Sequence, residues 1–250
     1  MWHKPQLMTV VADLLLVAAA AALVFAGLIL AMRLPFFPLR QVSLVEAPAQ
    51  VTRGEIESVL ATALRGNFFS ANLDNVRQSL EKLPWVRRAD VRRRWPAGVD
   101  VKLEEHRALA RWGEGAAQLV NSFGEVFYAA GAPNEAALPV FQGPPGAAPE
   151  VLRRHQEFVA AFAAVGRTPR QTTLSARLAW QLRLDDGMVV ELGREQPRAP
   201  ISDRLARFIA AYPQAVAGRQ PRALAADLRY PNGFALKTAG SAGSETKGKS

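Results

Sequence analysis

Side chains that could support catalysis are few in this sequence and lie far apart. Histidine is the residue type best suited to acid–base chemistry near neutral pH, and the three histidines are His3, His106 and His155. No two of them have the i and i+4 spacing of a metal-binding helix. His155 lies on an apolar helical stripe, which predicts a partly buried histidine with a hydrogen-bond partner. We therefore expect no metal site and no acid–base pair.

Motifs for nucleophilic catalysis and phosphate binding are also missing. The sequence contains no cysteine, which excludes disulfides, thiol nucleophiles and thiolate metal sites. Ser122 and Ser202 lack the Gly-x-Ser-x-Gly context of a hydrolase, and no glycine-rich phosphate-binding loop occurs. The acidic pairs Glu104–Glu105 and Asp185–Asp186 are better explained as a strand end and a turn. We predict a protein that is not an enzyme and has no cofactor and no small-molecule substrate.

Arginines form the densest charged cluster, between Arg87 and Arg94, and Trp85 and Trp95 flank it. Basic residues next to aromatic ones can bind nucleic acid through phosphate contacts and base stacking. In a strand, however, Arg92 and Arg94 share one face. That arrangement favours a solvated surface facing lipid headgroups or an acidic partner, and the membrane anchor predicted below favours it further. We therefore expect no nucleic-acid binding.

Composition predicts folded domains. The chain has 250 residues, of which 49% are hydrophobic and 21% are charged. This is enough apolar material for packed cores, and the length suits one large or two small domains. The formal net charge of +9 permits attraction to nucleic acid, anionic lipid or acidic proteins, without choosing among them.

One apolar segment predicts a membrane anchor. From Leu14 to Met32 there are nineteen residues without a charge, and a helix of that length nearly spans a hydrocarbon core of about 30 Å. A cleaved signal peptide needs an apolar run of only about 7 to 15 residues. We predict an uncleaved transmembrane helix over residues 10–33, preceded by a short tail of residues 1–9. Positive charges flank both ends of the segment and do not decide its orientation.

The first soluble region, residues 36–106, predicts a small α+β domain. Thr52 and Asn72 are predicted to cap two amphipathic helices, the first of which ends at Gly66 and the second at Pro84. The predicted strands are residues 39–45, 85–95 and 99–105. This order, strand, helix, helix, strand, strand, describes two helices that cover a three-stranded sheet.

The second soluble region, residues 107–238, predicts a β domain. Helical stripes occur in residues 150–165 and 201–212, and a loop rich in Gly, Pro and Ala runs from Gly131 to Pro149. Strand signals occur in residues 119–120, 126–128, 172–175, 179–184, 188–192, 224–230 and 234–237. Residues 239–250 are mostly Gly, Ser and Lys and are predicted to be disordered.

Several short motifs occur together in one order along the chain. They include Leu83–Val86, Trp95–Pro96, Ala110–Trp112, Leu192–Gly193 and Asp227–Gly233. In this order they resemble the bacterial cell division family FtsQ, called DivIB in other bacteria. The resemblance runs from Phe36 to Phe234. Asn121 departs from it, because the family usually has Asp at that position.

The resemblance implies a fold and a location. The amino terminus would be cytoplasmic, the helix would be a single-pass anchor in the cell inner membrane, and the body would be periplasmic at the division septum. The body would consist of a POTRA domain, with two helices on a three-stranded sheet, and a β domain with a mixed sheet and helices on one face. The whole chain would belong to the α+β class.

The resemblance also implies a function. The protein would be a non-enzymatic divisome scaffold that recruits and links septation proteins. FtsB, in complex with FtsL, would add to the open edge of the β domain near its carboxyl end. The POTRA side would serve recruitment together with FtsK, and FtsW and FtsI are further expected partners.

Edge-strand addition predicts a binding site in the last hairpin. An exposed edge strand carries unpaired amides and carbonyls, to which a partner segment can add. We expect Arg229 to pair with an acidic partner residue and Tyr230 to be an aromatic anchor. The other predicted contacts are Asn232, Gly233, Phe234 and Leu236. Alternatively, Tyr230 fills the core and Asn232–Gly233 only turns the chain.

Three other functions compete with the scaffold hypothesis. A membrane protein with POTRA domains could escort translocated polypeptides, although such proteins usually carry several POTRA repeats and a barrel, and this sequence predicts one repeat and no barrel. A membrane-tethered hydrolase would need the catalytic groups that are missing. DNA binding is excluded if the body lies outside the cytoplasm.

Overall fold

The computed structural model describes residues 5–33, 41–113, 118–217 and 223–238. The chain divides into two compact units, residues 1–105 and residues 106–250. The first unit contains an apolar helix and a small α+β domain, and the second contains the β domain. Residues 239–250, which the sequence predicts to be disordered, lie outside the described residues.

The apolar helix α1 extends over Pro5–Arg33, so it begins within the predicted tail of residues 1–9. Its part Thr9–Leu30 spans 22 residues and is long and apolar enough to cross a membrane. Every side chain in that part is exposed. At about 1.5 Å per residue, this length matches a hydrocarbon core of about 30 Å. Leu14 lies within the span, whereas the side chain of Met32 lies outside the described residues.

The α+β domain of the first unit has the predicted order of elements. They are β1 (Gln41–Leu44), α2 (Arg53–Ala63), α3 (Leu73–Leu80), β2 (Val86–Arg94) and β3 (Gly98–Glu105). The sheet order is β1-β3-β2, with β1 parallel and β2 antiparallel to the central strand. Apolar side chains from both helices and from the sheet form the core, among them Ile56, Leu60, Val76, Leu80, Val99 and Val101.

Helix boundaries in this domain follow from local hydrogen bonds. The side chain of Thr52 accepts from the Glu55 amide, and the Glu55 carboxylate accepts from the Thr52 amide at 2.8 Å. This confirms the capping box and lowers the pKa of Glu55. Helix α3 ends at Leu80, before the predicted end at Pro84. The residue preceding a proline disfavours helical backbone, and the Leu83 amide instead donates to the Leu80 carbonyl at 3.1 Å.

Glu105 ties the loop after β1 to the end of β3. Its carboxylate accepts hydrogen bonds from the backbone amides of Ala49, Gln50 and Val51, at 2.8, 2.9 and 2.8 Å. A sequence pattern identifies Glu105 only as the end of a strand. In the structure, this side chain satisfies three amides that no strand pairs.

The β domain contains one nine-stranded mixed sheet and two longer helices, α4 (Ala148–Ala163) and α5 (Ile201–Tyr212). The strands are β4 (Ala108–Trp112), β5 (Gln118–Asn121), β6 (Val126–Tyr128), β7 (Val140–Gln142), β8 (Pro169–Leu174), β9 (Trp180–Leu184), β10 (Val189–Gly193), β11 (Ala223–Asp227) and β12 (Ala235–Thr238). Their order across the sheet is β12-β11-β10-β9-β8-β7-β4-β5-β6. β12 and β6 are therefore the two edge strands.

Two strands of this sheet lie outside the predicted ones. β4 follows the predicted domain boundary, and β7 lies in the segment Gly131–Pro149, which the sequence predicts to be a loop. β7 has only three residues and pairs in parallel with β4 and β8. A short strand with neighbours on both sides shows no alternating pattern. Its central residue, Phe141, is 1% exposed.

Both helices contribute to one apolar core on the sheet. Aromatic rings connect its parts, because Phe158 contacts Trp180 on β9 and Phe208 contacts Phe162. His155 on α4 is buried in this core, with Nδ1 2.9 Å from the hydroxyl oxygen of Thr172 on β8. This confirms the prediction of a satisfied, buried histidine. Burial lowers its pKa to about 4.

Candidate docking edge

Strand β12 is an outer edge of the nine-stranded sheet. It pairs with β11 in an antiparallel register that sets Ala235 opposite Asp227 and Lys237 opposite Ala225. β11 in turn pairs in parallel with β10. Within the part of the chain that the structure describes, no strand pairs with the other side of β12. This side can therefore accept a further strand.

Apolar side chains hold β12 on the domain. Phe234 and Leu236 are half-buried and pack against the core. The Phe234 ring lies 5.2 Å from the Phe208 ring at an interplanar angle of 82°. Ala235 and Lys237 are exposed. Phe234 and Leu236 were predicted to bind a partner. In the structure, their packing against the core anchors the edge strand.

The predicted contact residues Arg229 and Tyr230 lie in the segment that joins β11 to β12. Tyr230 is 55% exposed, so it does not fill the core. Asn232 is exposed as well, and Gly233 is half-buried. Leu228, directly before Arg229, is buried. The chain thus passes from a buried anchor to an exposed aromatic side chain within two residues.

Arg229 already has a carboxylate partner in its own domain. Its Nε donates to Asp227 Oδ1 at 2.8 Å, and its Nη2 donates to Asp227 Oδ2 at 2.6 Å. These bonds raise the pKa of Arg229 and lower that of Asp227. A guanidinium group has five N–H donors. Among the described residues, Nη1 of Arg229 has no hydrogen-bond partner, so it is available to an acidic group.

An open cavity of about 660 Å³ lies beside Arg229. Arg177, Arg194 and Glu195 line it together with Gly193 and Arg229. The Glu195 carboxylate is engaged elsewhere, because it accepts from Arg154 and from the Ile201 amide, each at 2.8 Å. Three guanidinium groups around one cavity favour a carboxylate ligand. Sequence reasoning missed Arg177 and Arg194. They follow β8 and β10, and they line the same cavity only because the folded sheet brings the ends of these strands close together.

Arg204 on α5 supports this region from inside the domain. It is 2% exposed and makes no direct hydrogen bond to a carboxylate in the described structure, although the charge of Glu195 acts on it. It donates instead to four backbone carbonyls, those of Leu192, Arg194, Ala199 and Leu228. Burial lowers its pKa. One buried guanidinium therefore connects the ends of β10 and β11 to the start of α5.

The remaining histidine in the described residues, His106, packs against neighbouring side chains of the β domain. Nδ1 of His106 lies 2.9 Å from the side-chain nitrogen of Asn121, and its ring stacks on Phe127 with the centroids 4.1 Å apart. The Asn121 side-chain oxygen accepts from the Phe123 and Glu125 amides, each at 2.9 Å. Asn121 therefore organises the β5–β6 turn. Across the described ranges, no group of three or more His, Asp or Glu residues is arranged to hold a metal ion.

The predicted arginine surface of the first unit is balanced by acidic residues. Arg92 pairs with Asp90 at 2.7 Å, and Arg94 lies 3.5 Å from Asp100. Arg93, on the other face, donates to backbone carbonyls in the α2–α3 loop. Trp95 is 81% exposed, whereas Trp85 is 9% exposed. The cluster is thus a charge-paired strand surface.

Known proteins resemble the chain in both of its folded parts. A model of the family "Cell division protein FtsQ/DivIB, C-terminal" matches residues 110–229, and a model of the "POTRA domain, FtsQ-type" matches residues 37–106. The chain belongs to the FtsQ family. The prediction from the motifs is therefore confirmed, and the α+β domain of the first unit is an FtsQ-type POTRA domain.

Individual members of the FtsQ family match along nearly the whole chain. The cell division protein FtsQ of Burkholderia pseudomallei is 39% identical over 240 residues, which cover 96% of this chain and 95% of that protein. FtsQ of Bordetella pertussis is 35% identical over 257 residues, covering 96% and 93%. FtsQ of Nitrosospira multiformis is 36% identical over 242 residues, covering 95% and 99%. This membership supports a scaffold role in cell division through protein–protein interactions.

Proposed function

We propose that this chain is a non-enzymatic divisome scaffold that recruits and links septation proteins through the free edge of β12. In this proposal, FtsB in complex with FtsL adds to β12 as a further strand of the sheet. The observation that carries the proposal is the position of β12 at the edge of the sheet, beside an exposed tyrosine and an arginine-lined cavity.

Strand addition separates affinity from specificity. Main-chain hydrogen bonds to the edge are available to any extended segment, and side-chain contacts select among segments. Tyr230 presents an exposed aromatic ring in the segment that leads from β11 to the edge strand. Arg177 and Arg229 line the cavity that would receive an acidic partner side chain. A partner segment that combines an extended stretch with a nearby carboxylate fits these features.

The internal pair with Asp227 changes the expected role of Arg229. The pair occupies Nε and Nη2, so Arg229 binds a partner carboxylate through Nη1 while Asp227 holds the guanidinium plane. An arginine that is already oriented loses less side-chain entropy on binding than a freely rotating one. Asp227 therefore contributes to the proposed affinity without touching the partner.

We propose that the amino terminus is cytoplasmic and that the body is periplasmic, at the division septum of the inner membrane. Among the described residues, one helix, α1, is long and apolar enough to cross a membrane, which supports a single-pass anchor, and family membership supports the remainder. A carboxyl-terminal alkaline phosphatase fusion should be active, because this enzyme matures only outside the cytoplasm. A fluorescent fusion should form a midcell band that depends on the soluble body.

We also propose that the POTRA side engages FtsK and that FtsW and FtsI are further partners. The charge-paired surface around Arg92 and Arg94 is exposed. Because it carries both basic and acidic groups, it would fit a partner surface of mixed charge better than a purely acidic one. Photo-crosslinking from position 92 or 94 in dividing cells should capture such a partner. Crosslinks to lipid alone would contradict this assignment.

Binding at the β12 edge can be tested with one matched pair of substitutions. Tyr230 and Tyr128 are both exposed tyrosines, 55% and 65%, at opposite edges of the same sheet. In the full-length protein, Tyr230→Ala should weaken binding of the FtsB–FtsL complex about tenfold or more, as expected of an aromatic hot spot. Tyr128→Ala should leave the affinity unchanged. Equal effects of the two substitutions would refute docking at β12.

A further inference from the structure

Gly193, the last residue of β10, lies against the side chain of Arg229. Its φ of +69° is in the left-handed region that favours glycine. A Cβ at this position would lie 2.8 Å from Cγ and 3.4 Å from Cδ of Arg229. A Cβ atom essentially never lies within 3.0 Å of a non-bonded heavy atom in a protein, so a side chain here would force one of the two groups to move. The stem of Arg229 therefore occupies the space that any other residue at position 193 would fill.

The backbone around Gly193 is held firmly in place. Arg204 donates to the carbonyl of Leu192, directly before Gly193, and to that of Arg194, directly after it, at 2.8 Å in the second case. The same guanidinium donates to the Leu228 carbonyl, directly before Arg229, at 2.8 Å. Gly193 and the start of the Arg229 segment are thus fixed to one buried group. The two backbone segments are therefore held in place, so a clash between them would have to be relieved by the Arg229 side chain.

We propose that Gly193 is a positioning residue for the docking edge. Its missing side chain forms a seat for the stem of Arg229, and this seat directs the guanidinium both to Asp227 and to the cavity beside Arg177. A larger residue at position 193 displaces Arg229 from this seat. The part of this inference that concerns affinity rests on the proposed function, whereas the part that concerns the Arg229–Asp227 pair does not.

A purely conformational role for Gly193 predicts a different result. Gly187, in the β9–β10 turn, has a φ of +86° and nothing within 4 Å of its would-be Cβ. Gly187→Ala therefore imposes similar backbone strain without displacing any side chain. It is the matched control for Gly193→Ala, because only the second substitution pushes against Arg229.

A double-mutant cycle on the full-length protein tests the seat through binding. With Arg229 present, Gly193→Ala should weaken binding of the FtsB–FtsL complex about tenfold. In an Arg229→Ala background, where no stem occupies the seat, the same substitution should weaken it less than about twofold. Gly187→Ala should have an effect below about twofold in either background. An equal loss from Gly193→Ala in both backgrounds would overturn the proposal.

The titration of Asp227 tests the seat without any partner. Arg229 holds the pKa of Asp227 below its ordinary value. If Gly193→Ala displaces Arg229, NMR titration of ¹³C-labelled aspartate should show this pKa returning towards its ordinary value, and Gly187→Ala should not change it. An unchanged Asp227 pKa in Gly193→Ala overturns the seat. A raised pKa with unchanged affinity supports the seat and overturns docking at Arg229, so the two failures are distinct.

Discussion

Acidification is expected to destabilise the β domain through His155. This imidazole is 8% exposed and contacts the Thr172 hydroxyl at 2.9 Å. Burial lowers its pKa from 6.5 to about 4. As the pH falls, the unfolded chain therefore binds a proton before the folded one does. The stability that neutral His155 contributes is complete above pH 6.5 and is lost as the pH falls towards 4.

The size of the effect follows from these two pKa values. Between about pH 8 and about pH 5, proton linkage gives a loss of about 2 kcal/mol in the free energy of unfolding. The range ends at about pH 5 so that carboxylates do not contribute. Arg153 lowers the pKa of Glu150, and Arg229 lowers the pKa of Asp227. At about pH 5 both carboxylates are still mostly ionised in the folded and in the unfolded state. Urea unfolding of the full-length protein in detergent micelles, at several pH values, measures this loss.

A variant that cannot titrate separates His155 from all other groups. His155→Gln retains a hydrogen-bonding group towards Thr172 and carries no titratable proton in this range. Its stability at high pH should be somewhat lower than that of the unmodified protein, but its pH dependence should be flatter by about 2 kcal/mol over the same interval. Parallel pH profiles for the two proteins would refute the reasoning.

Two further substitutions test the internal hydrogen bonds. Arg204→Met should lower the free energy of unfolding by about 3 to 5 kcal/mol, because four carbonyls lose a buried donor. Arg207→Met, at an exposed arginine on the same helix, should cost less than about 1 kcal/mol, and equal urea midpoints for these variants would contradict the role of Arg204. Glu105→Gln should cost about 1 to 3 kcal/mol, because a carboxamide cannot accept from all three loop amides. Unchanged hydrogen exchange in residues 49–51 would count against this role.

Sequence reasoning recovered the elements whose signals are local. Thr52 and Asn72 cap α2 and α3 as their neighbours predict, since a cap depends on residues only three positions apart. The turn at Asp185–Gly187 likewise joins β9 and β10, because an Asp-Gly pair between alternating apolar residues specifies a hairpin. β7 was missed because its partners lie 29 and 31 residues from it in the register pairs Arg111↔Val140 and Val140↔Gln171.

The docking edge was only partly predictable, because several of its contacts join residues that are far apart in the sequence. The last hairpin follows from the motif and from alternation near Gly233, whereas the sequence left open whether Tyr230 is exposed or fills the core. The ion pair of Arg229 with Asp227 depends on the bend of the chain after β11. Arg204, Gly193 and their contacts depend on three separate segments meeting, and no local pattern marks a buried arginine that binds only backbone carbonyls.

Strand β12 is both the outermost strand of its sheet and the last one along the described chain. β11 pairs with β10 after the crossover through α5, and among the described strands β12 pairs only with β11. The proposed docking surface therefore exists only in a molecule that has been synthesised and folded through residue 238. A copy truncated before β12 would instead expose the edge of β11, without the Phe234 and Leu236 anchors, so the identity of the sheet edge depends on the last residues of the described chain.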